Sequence, residues 1–334
     1  MSRRRGVSLV EVLLALGIVV IVIGILLPAL TRQKSRGGRS VTSNNLRQIA
    51  LAVHNYNDAN GNNLPPLVDV GEGAPTGAGL HSLFFNIQPY IEADNIYRLY
   101  NKATPNSYYL PSTGAAQYVI KVYISPADET APNGQVVNAT VMLPEAPPAP
   151  FAQSFTGSYA TTSYAANGMI PWNTGGLPRS FVDGTSNTIM FAERPQACTD
   201  SSGTTVYNLW GYGMYGPSAP AFALLTPDDP EGLPSTGQIA PALPLPAAWT
   251  ADRIPVRIGT EDAPPQPSPA GRAFQVGLKR NSPCDPRIPS SPHPGGMLVA
   301  LGDGSVRSLA PSMSEWTFWA AVTPDGKETP YSDW

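Results

Sequence analysis

Charge is scarce in this chain of 334 residues, with Asp, Glu, Lys and Arg making up only 13 per cent. No basic block follows Arg39, so the chain beyond it lacks the electrostatic footprint of nucleic-acid binding. There are three histidines, His54, His81 and His293, and no H-E-x-x-H, which argues against a catalytic zinc centre. His293, Asp303 and Ser305 are the residue types of a hydrolytic triad, but no G-x-S-x-G elbow accompanies them and the serine follows a turn motif. We expect no enzyme and no cofactor. The two cysteines are Cys198 and Cys284. An exported domain would permit them to pair as a structural staple, while their spacing alone leaves two unpaired thiols open.

Proline and glycine are abundant instead. The 37 prolines and 31 glycines form no fibrous period and point to a loop-rich, β-containing domain. Roughly 270 residues follow the N-terminal segment, enough for one large domain or a domain with an insertion.

The long apolar run stands at the beginning. Arg3, Arg4 and Arg5 precede Gly6, Glu11 follows five residues later, and Val12 to Leu30 carries no charge. That run approaches the ~20 residues a helix needs to cross a hydrocarbon core. A carboxylate at its edge costs a few kcal/mol unless it is paired, so Glu11 is a functional candidate. A secretory signal would have a shorter apolar region and a small-residue cleavage site, which Leu27 to Thr31 does not offer. A plain anchor leaves Gly6 and Glu11 unexplained. Flanking charge does not set orientation, because Arg32, Lys34, Arg36 and Arg39 oppose the leader arginines across the span.

This order of residues resembles the type IV prepilin signal. The resemblance implies cleavage between Gly6 and Val7 by a prepilin peptidase that also methylates Val7. Glu11 then becomes the fifth mature residue and Pro28 the helix-bending proline, both positions associated with assembly. Residues 1–6 would be the leader, 7–30 the transmembrane and assembly helix, and 31–60 its amphipathic continuation. The N-terminus would lie in the cytoplasm, with the rest exported. Without the leader arginines, 18 basic residues face 24 acidic ones, a formal −6.

Leu46, Ile49, Ala50 and Val53 form an i, i+3, i+4, i+7 stripe in that continuation. Gly37-Gly38 marks a weak point, and the helix should end by Asn60-Gly61. Residues 61–334 read as one β-rich domain. Leu83 to Tyr97 suggests a second helical segment, interrupted or started by Pro89. Tyr118 to Ile124, Tyr159 to Tyr164 and Thr188 to Phe191 are strand candidates. Val141 to Pro150 reads as a loop, and about 226–271 as a proline-rich surface insertion. Met297 to Leu301 and Ser305 to Leu309 flank Gly302-Asp303-Gly304, a strong hairpin signal. Ser312 to Glu315 has capping-box spacing before an aromatic helix ending at Val322, with Trp316 and Trp319 expected in the core.

His293, nine residues, then Asp303-Gly304 resembles the H-X9-DG region of a prepilin-like family, domain of unknown function 1559. Ser163 to Gly168, Asp183-Gly184 through Thr188 leading to Glu193, Asn44 to Gln48, and Pro89-Tyr90 match it too. Ser125-Pro126 departs from it, since many members have Cys-Pro there. The resemblance implies a pilin-like α+β fold, a long N-terminal helix packed on an antiparallel sheet with long loops.

From the residues, Asp183 to Asn187 reads as a side-chain-capped turn. A calcium site on Asp183 and Asn187 is a weak alternative whose spacing matches no EF-hand loop. His293 is expected to fix the loop before the hairpin through its ring N–H groups. The expected function is a structural pilin-like or pseudopilin subunit of a type II secretion or type IV pilus-like system. Its partners would be the peptidase, an inner-membrane assembly platform, neighbouring subunits and the membrane, but no nucleic acid. It would begin as a single-pass inner-membrane protein and end in the periplasm, at the cell surface or in a filament. The alternative is a membrane-tethered binding module, with a surface on the insertion or on Trp210, Tyr212 and Tyr215.

Overall fold

The computed structural model describes residues 9–69, 81–99, 115–143, 153–172, 174–199, 203, 205–212, 218–223, 273–280, 282–285, 288–326 and 332–334. For residues 23–36, 68–69, 81, 132, 138–143 and 153–155 only the backbone is described. Gly6, Val7, Tyr215 and the insertion at 226–271 lie outside the described residues, as does the side chain of Pro28.

Helix α1 runs without interruption over Leu9–Ala59, 51 residues. Gly37 and Gly38 do not break it. At Gly38 the Thr42 hydroxyl donates to the backbone carbonyl at 2.9 Å, and a Cβ there would sit 3.6 Å from that of Ala127. Packing against the domain thus offsets the ~1 kcal/mol propensity cost at Gly38, while a Cβ at Gly37 would meet nothing. The helix stops where Gly61 and Asn62 take positive φ, 67° and 62°, ahead of Leu64-Pro65-Pro66. Among the described residues no helix is long and apolar enough to cross a membrane; the side chains of 23–36, central to that expectation, lie outside them.

The elements after α1 are β1 (Val68–Asp69), β2 (His81–Ser82), α2 (Leu83–Asn86), α3 (Asp94–Arg98), β3 (Gln135–Leu143), β4 (Gln153–Ala160), β5 (Tyr164–Asn167), β6 (Ile189–Glu193), β7 (Ala197–Thr199), β8 (Thr205–Tyr207), β9 (Ala221–Phe222), β10 (Gln275–Val276), β11 (Ser290–Ser291), β12 (Met297–Leu301), β13 (Val306–Leu309) and α4 (Glu315–Val322). The main sheet has the order β13-β12-β6-β5-β9, antiparallel except where β5 meets β9. Two-stranded pairs β1-β2, β3-β4, β7-β8 and β10-β11 surround it. The chain is therefore α+β with a mixed main sheet.

Strand periodicity separates two cores across that sheet. Tyr164, Ala166, Phe191, Leu298 and Ala300 share one core with Leu46, Ile49, Ala50 and Val53 of α1. Ala165, Ala192, Met297, Val299 and Leu309 share the other with Phe318, Trp319 and Val322 of α4. Met190 and Phe191 both join the α1-side core, because the register slips between Ala300 and Leu301. An extra residue at such a bulge turns two consecutive side chains to one side.

Several expectations need correcting. The segment from Leu83 is two short helices with a one-turn helix at Gln88–Tyr90 between them, Pro89 standing near its start. Tyr118 to Ile124 is not a strand but contains a one-turn helix, Lys121–Tyr123. Among the described residues its alternation has no partner strand, and the Tyr123 hydroxyl is drawn inward to donate to the Phe84 carbonyl at 2.5 Å. Tyr159 to Tyr164 spans the break between β4 and β5. Val141 to Leu143 belongs to β3, paired with Gln153 to Phe155, rather than to a loop. Helix α4 is capped by Ser314, not Ser312: the Ser314 hydroxyl accepts from Thr317 N–H at 3.2 Å. In place of a capping-box glutamate, the Asp333 carboxylate accepts from Ser314 N–H at 2.7 Å, which satisfies an end donor from a distant part of the chain.

Candidate functional site

Helix α1 presents two unlike halves. Every Leu, Ile and Val from Leu9 to Val22 is exposed, between 47 and 76 per cent, while Leu46, Ile49, Ala50 and Val53 are fully buried. Each exposed aliphatic forgoes ~1.5–3 kcal/mol of burial. Glu11 lies in the first turn of this half.

The two glycine-containing turns at 183–188 and 302–304 form a second locus on the sheet. The turns Asp183 to Thr188 and Gly302-Asp303-Gly304 meet directly: Asp303 N–H donates to Thr185 O and Gly302 N–H to Thr188 O, both at 3.0 Å. Helix α1 joins them through His54 Nε2, 3.0 Å from Gly302 O. Gly184 and Gly304 have φ of 99° and 80°, the left-handed region that side chains disfavour. Asn187 Nδ2 donates to Asp183 O at 2.9 Å, so the side chain caps a carbonyl of the turn rather than a backbone N–H. The Asp183 carboxylate, however, reaches across to Gly326 N–H at 2.8 Å. Among the described residues, no three His, Cys, Asp or Glu side chains are placed to hold a metal ion.

His293 does not join Asp303 and Ser305. Asp303 accepts from the backbone N–H of Ser305 at 2.8 Å, and both residues are exposed while His293 is buried. Nor does the imidazole fix its loop through ring hydrogen bonds. The backbone does that: His293 N–H donates to Ser291 Oγ at 3.1 Å. The ring faces Glu193 instead, with Nε2 3.6 Å from Oε1, and neither atom has a hydrogen-bond partner. Glu193 Oε2 is saturated, accepting Leu298 N–H and the Ser291 hydroxyl, both at 2.7 Å.

Burial pushes the Glu193 carboxyl up to about 7, against the pull of those two donors and of Arg39. Burial, then the Arg39 charge, holds the His293 imidazole down to about 4. Although the two groups are within ion-pair distance, burial opposes the charged form of each, raising the carboxyl and lowering the imidazole. Arg39 reaches the same segment from α1, donating to Gly296 O at 3.1 Å and Ser308 Oγ at 2.6 Å.

A third buried network surrounds Asp128. Its carboxylate accepts from Thr130 N–H and hydroxyl at 3.0 and 2.5 Å, the Ser163 hydroxyl at 2.8 Å, and Gln196 N–H at 2.9 Å. The Ser125 hydroxyl lies 2.7 Å from the Thr42 hydroxyl, so Ser125 docks α1. Cys198 and Cys284 are disulfide-bonded. Trp210 and Tyr212 are not surface aromatics but buried core residues, Trp210 donating its indole N–H to Tyr118 O at 3.1 Å.

Sequence reasoning placed Glu193 and Ser163 in matched stretches without a role, and missed Asp128 altogether. Apart from Thr130, two residues from Asp128, their partners are 35 to 105 residues away, beyond any local spacing. The only sequence signal was the rarity of charge, which makes each carboxylate inside an apolar strand conspicuous. Residues 32–314 match the model of a family described as a protein of unknown function, DUF1559, while no curated protein and no solved structure matches the chain.

Proposed function

We propose that this chain, which belongs to the DUF1559 family, is a non-enzymatic pilin-like or pseudopilin subunit assembled through α1. A prepilin peptidase would cut between Gly6 and Val7 and methylate Val7. Residues 7–30 would hold the subunit in the inner membrane, N-terminus in the cytoplasm, until a type II secretion or type IV pilus-like platform brings neighbouring copies together. The observation that carries this reading is the division of one unbroken helix. Its outer half is committed to the sheet, while the Leu, Ile and Val side chains from Leu9 to Val22, with Glu11 in the first turn, are exposed. A carboxylate in apolar surroundings needs a cation or a proton. In the pilin-like reading a neighbour's Val7 amine supplies the cation during assembly.

A membrane-tethered binding module would use the same anchor. Its aromatic surface loses Trp210 and Tyr212, which are core residues. The Glu11→Ala variant separates the two readings. The subunit reading expects normal processing and insertion with crosslinking between copies reduced or lost. Unchanged crosslinking in envelope fractions would favour the tethered module.

A further inference from the structure

Three Asn-Gly pairs occur in this chain, Asn60-Gly61, Asn133-Gly134 and Asn167-Gly168. An asparagine before glycine is prone to lose its side-chain amide, because no Cβ shields the glycine nitrogen from the amide carbon. Sequence gives the three pairs equal standing, and the structure does not. Ring closure needs an amide free to turn toward the chain and a glycine N–H free to give up its proton. A hydrogen bond at either group opposes it.

Asn167 is held at both. It is fully buried, its Nδ2 donates to Ile189 O and Val322 O, and Gly168 N–H donates to Phe222 O at 2.8 Å. Asn60 is exposed, but its Nδ2 donates to Tyr56 O at 2.8 Å, which lays the side chain back along α1. Asn133 is exposed, and among the described residues its side chain has no hydrogen-bond partner. Gly134 N–H reaches Ala131 O only at 3.4 Å, outside the range of about 2.7–3.2 Å of an ordinary N–H···O bond. Of the three pairs, only this one has neither reacting group held by a bond of ordinary length. Asn133 also stands at φ 61° and ψ 13°, a left-handed conformation that costs any residue with a Cβ. Gly134, by contrast, is fixed. Thr161 N–H donates to its carbonyl at 2.9 Å, and Val119 and Ile124 pack where a Cβ would stand. The moving part is therefore Asn133, whose side chain and ψ turn toward a stationary nitrogen.

We propose that Asn133-Gly134 is a self-modification site, at which Asn133 converts to aspartate and isoaspartate through a cyclic imide. The Gly134 nitrogen gives its proton to solvent and attacks Asn133 Cγ. The N–Cγ bond forms, the Cγ–Nδ2 bond breaks, and the amide nitrogen leaves as ammonia, taking a proton from water. Water then opens the imide. Addition at Cγ restores the ordinary backbone with aspartate, and addition at the main-chain carbonyl leaves the chain running through Cγ as isoaspartate. Either product places a negative charge on the turn. Isoaspartate also inserts a methylene into the backbone just before β3, whose pairing with β4 begins at Gln135 and Ala160. The site does not depend on the pilin-like reading.

The test is peptide mapping of the full chain in detergent micelles, aged while folded at mildly alkaline pH in water enriched in heavy oxygen. Fragmentation of the peptides quantifies the acid formed at each asparagine. Asn133 should convert first, to a mixture of aspartate and isoaspartate that carries the heavy oxygen. Asn60 should follow more slowly. Asn167 should be slower than Asn133 by on the order of 100-fold or more, since it reacts only from a locally opened state. In chain unfolded by urea the three should convert at comparable rates, because only the shared Asn-Gly sequence remains. Asn60 or Asn167 converting as fast as Asn133 in the folded chain would overturn the assignment. So would acid at residue 133 without isoaspartate, the mark of direct hydrolysis. An Asn133 that stays amidated in the folded chain while the unfolded control converts would overturn it as well. Asn133→Ser, which removes the amide carbon, should abolish the change in that peptide and leave Asn60 converting as before; acid persisting there would place the reaction elsewhere.

Discussion

Cys198 and Cys284 are bonded across 86 residues with their Cα atoms 5.6 Å apart, and Cys284 N–H donates to Thr199 O at 3.0 Å. The disulfide ties the β7–β8 hairpin to the chain that leads into β11. A closed loop of this length contributes about 4 kcal/mol by restricting the unfolded chain. Thermal unfolding with and without reductant should show that loss, and Cys198→Ser/Cys284→Ser should melt where the reduced wild type does. Identical melting of oxidised and reduced protein would remove the staple from the account.

The mature N-terminus is expected at Val7, methylated. Mass spectrometry of the N-terminal peptide from membrane fractions checks it; an intact Met1 or a start near Thr31 would refute the leader reading.

Gly296 and Gly295 are adjacent but unequal. Gly296 has φ of 124°, and a Cβ there would lie 2.2 Å from Leu309 O, whereas Gly295 faces open space. Gly296→Ala should cost about 2 kcal/mol or more, from backbone strain and a forced shift of the hairpin. Gly295→Ala should stay within about 0.5 kcal/mol of wild type. Denaturant unfolding of the two variants makes the comparison.

Asn167 joins three elements at one side chain. Its Nδ2 donates to Ile189 O at 2.7 Å and Val322 O at 2.6 Å, and its Oδ1 accepts from Met169 N–H at 2.9 Å. Asn167→Ala leaves three buried backbone groups without that partner and should cost about 3 kcal/mol. Asn167→Asp should be worse, since a carboxylate would face two carbonyl oxygens. Both are read from unfolding midpoints.

Stability should peak in mild acid. Glu193 is raised from 4.5 to about 7, so its contribution is full below 4.5 and is lost as pH rises through 7. His293 is lowered from 6.5 to about 4, so its contribution is full above 6.5 and is lost as pH falls through 4. Melting temperatures across pH 4 to 9 should rise and then fall, and Glu193→Gln should flatten the alkaline arm. An alkaline arm unchanged in that variant would exclude Glu193 as its cause.

The features set by the sequence alone are those with a short period or a short spacing. The apolar run, the buried stripe from Leu46 to Val53 and the Gly302-Asp303-Gly304 hairpin are dictated within a few residues, where helical pitch and turn chemistry leave little choice. Tertiary structure decided the rest. The alternation of Tyr118 to Ile124 suits a strand, yet among the described residues no strand pairs with it. Ser312 has the right spacing for a cap, yet Asp333 arrives from beyond α4 to favour Ser314. The cysteines permitted a bond that only the approach of β7 to Cys284 could make. The meeting of Arg39, Glu193 and His293 required α1, β6 and the β11–β12 connection to converge. Side chains hundreds of positions apart become neighbours only once the core has placed their strands, because burial and desolvation are properties of the assembled layers and not of any local stretch.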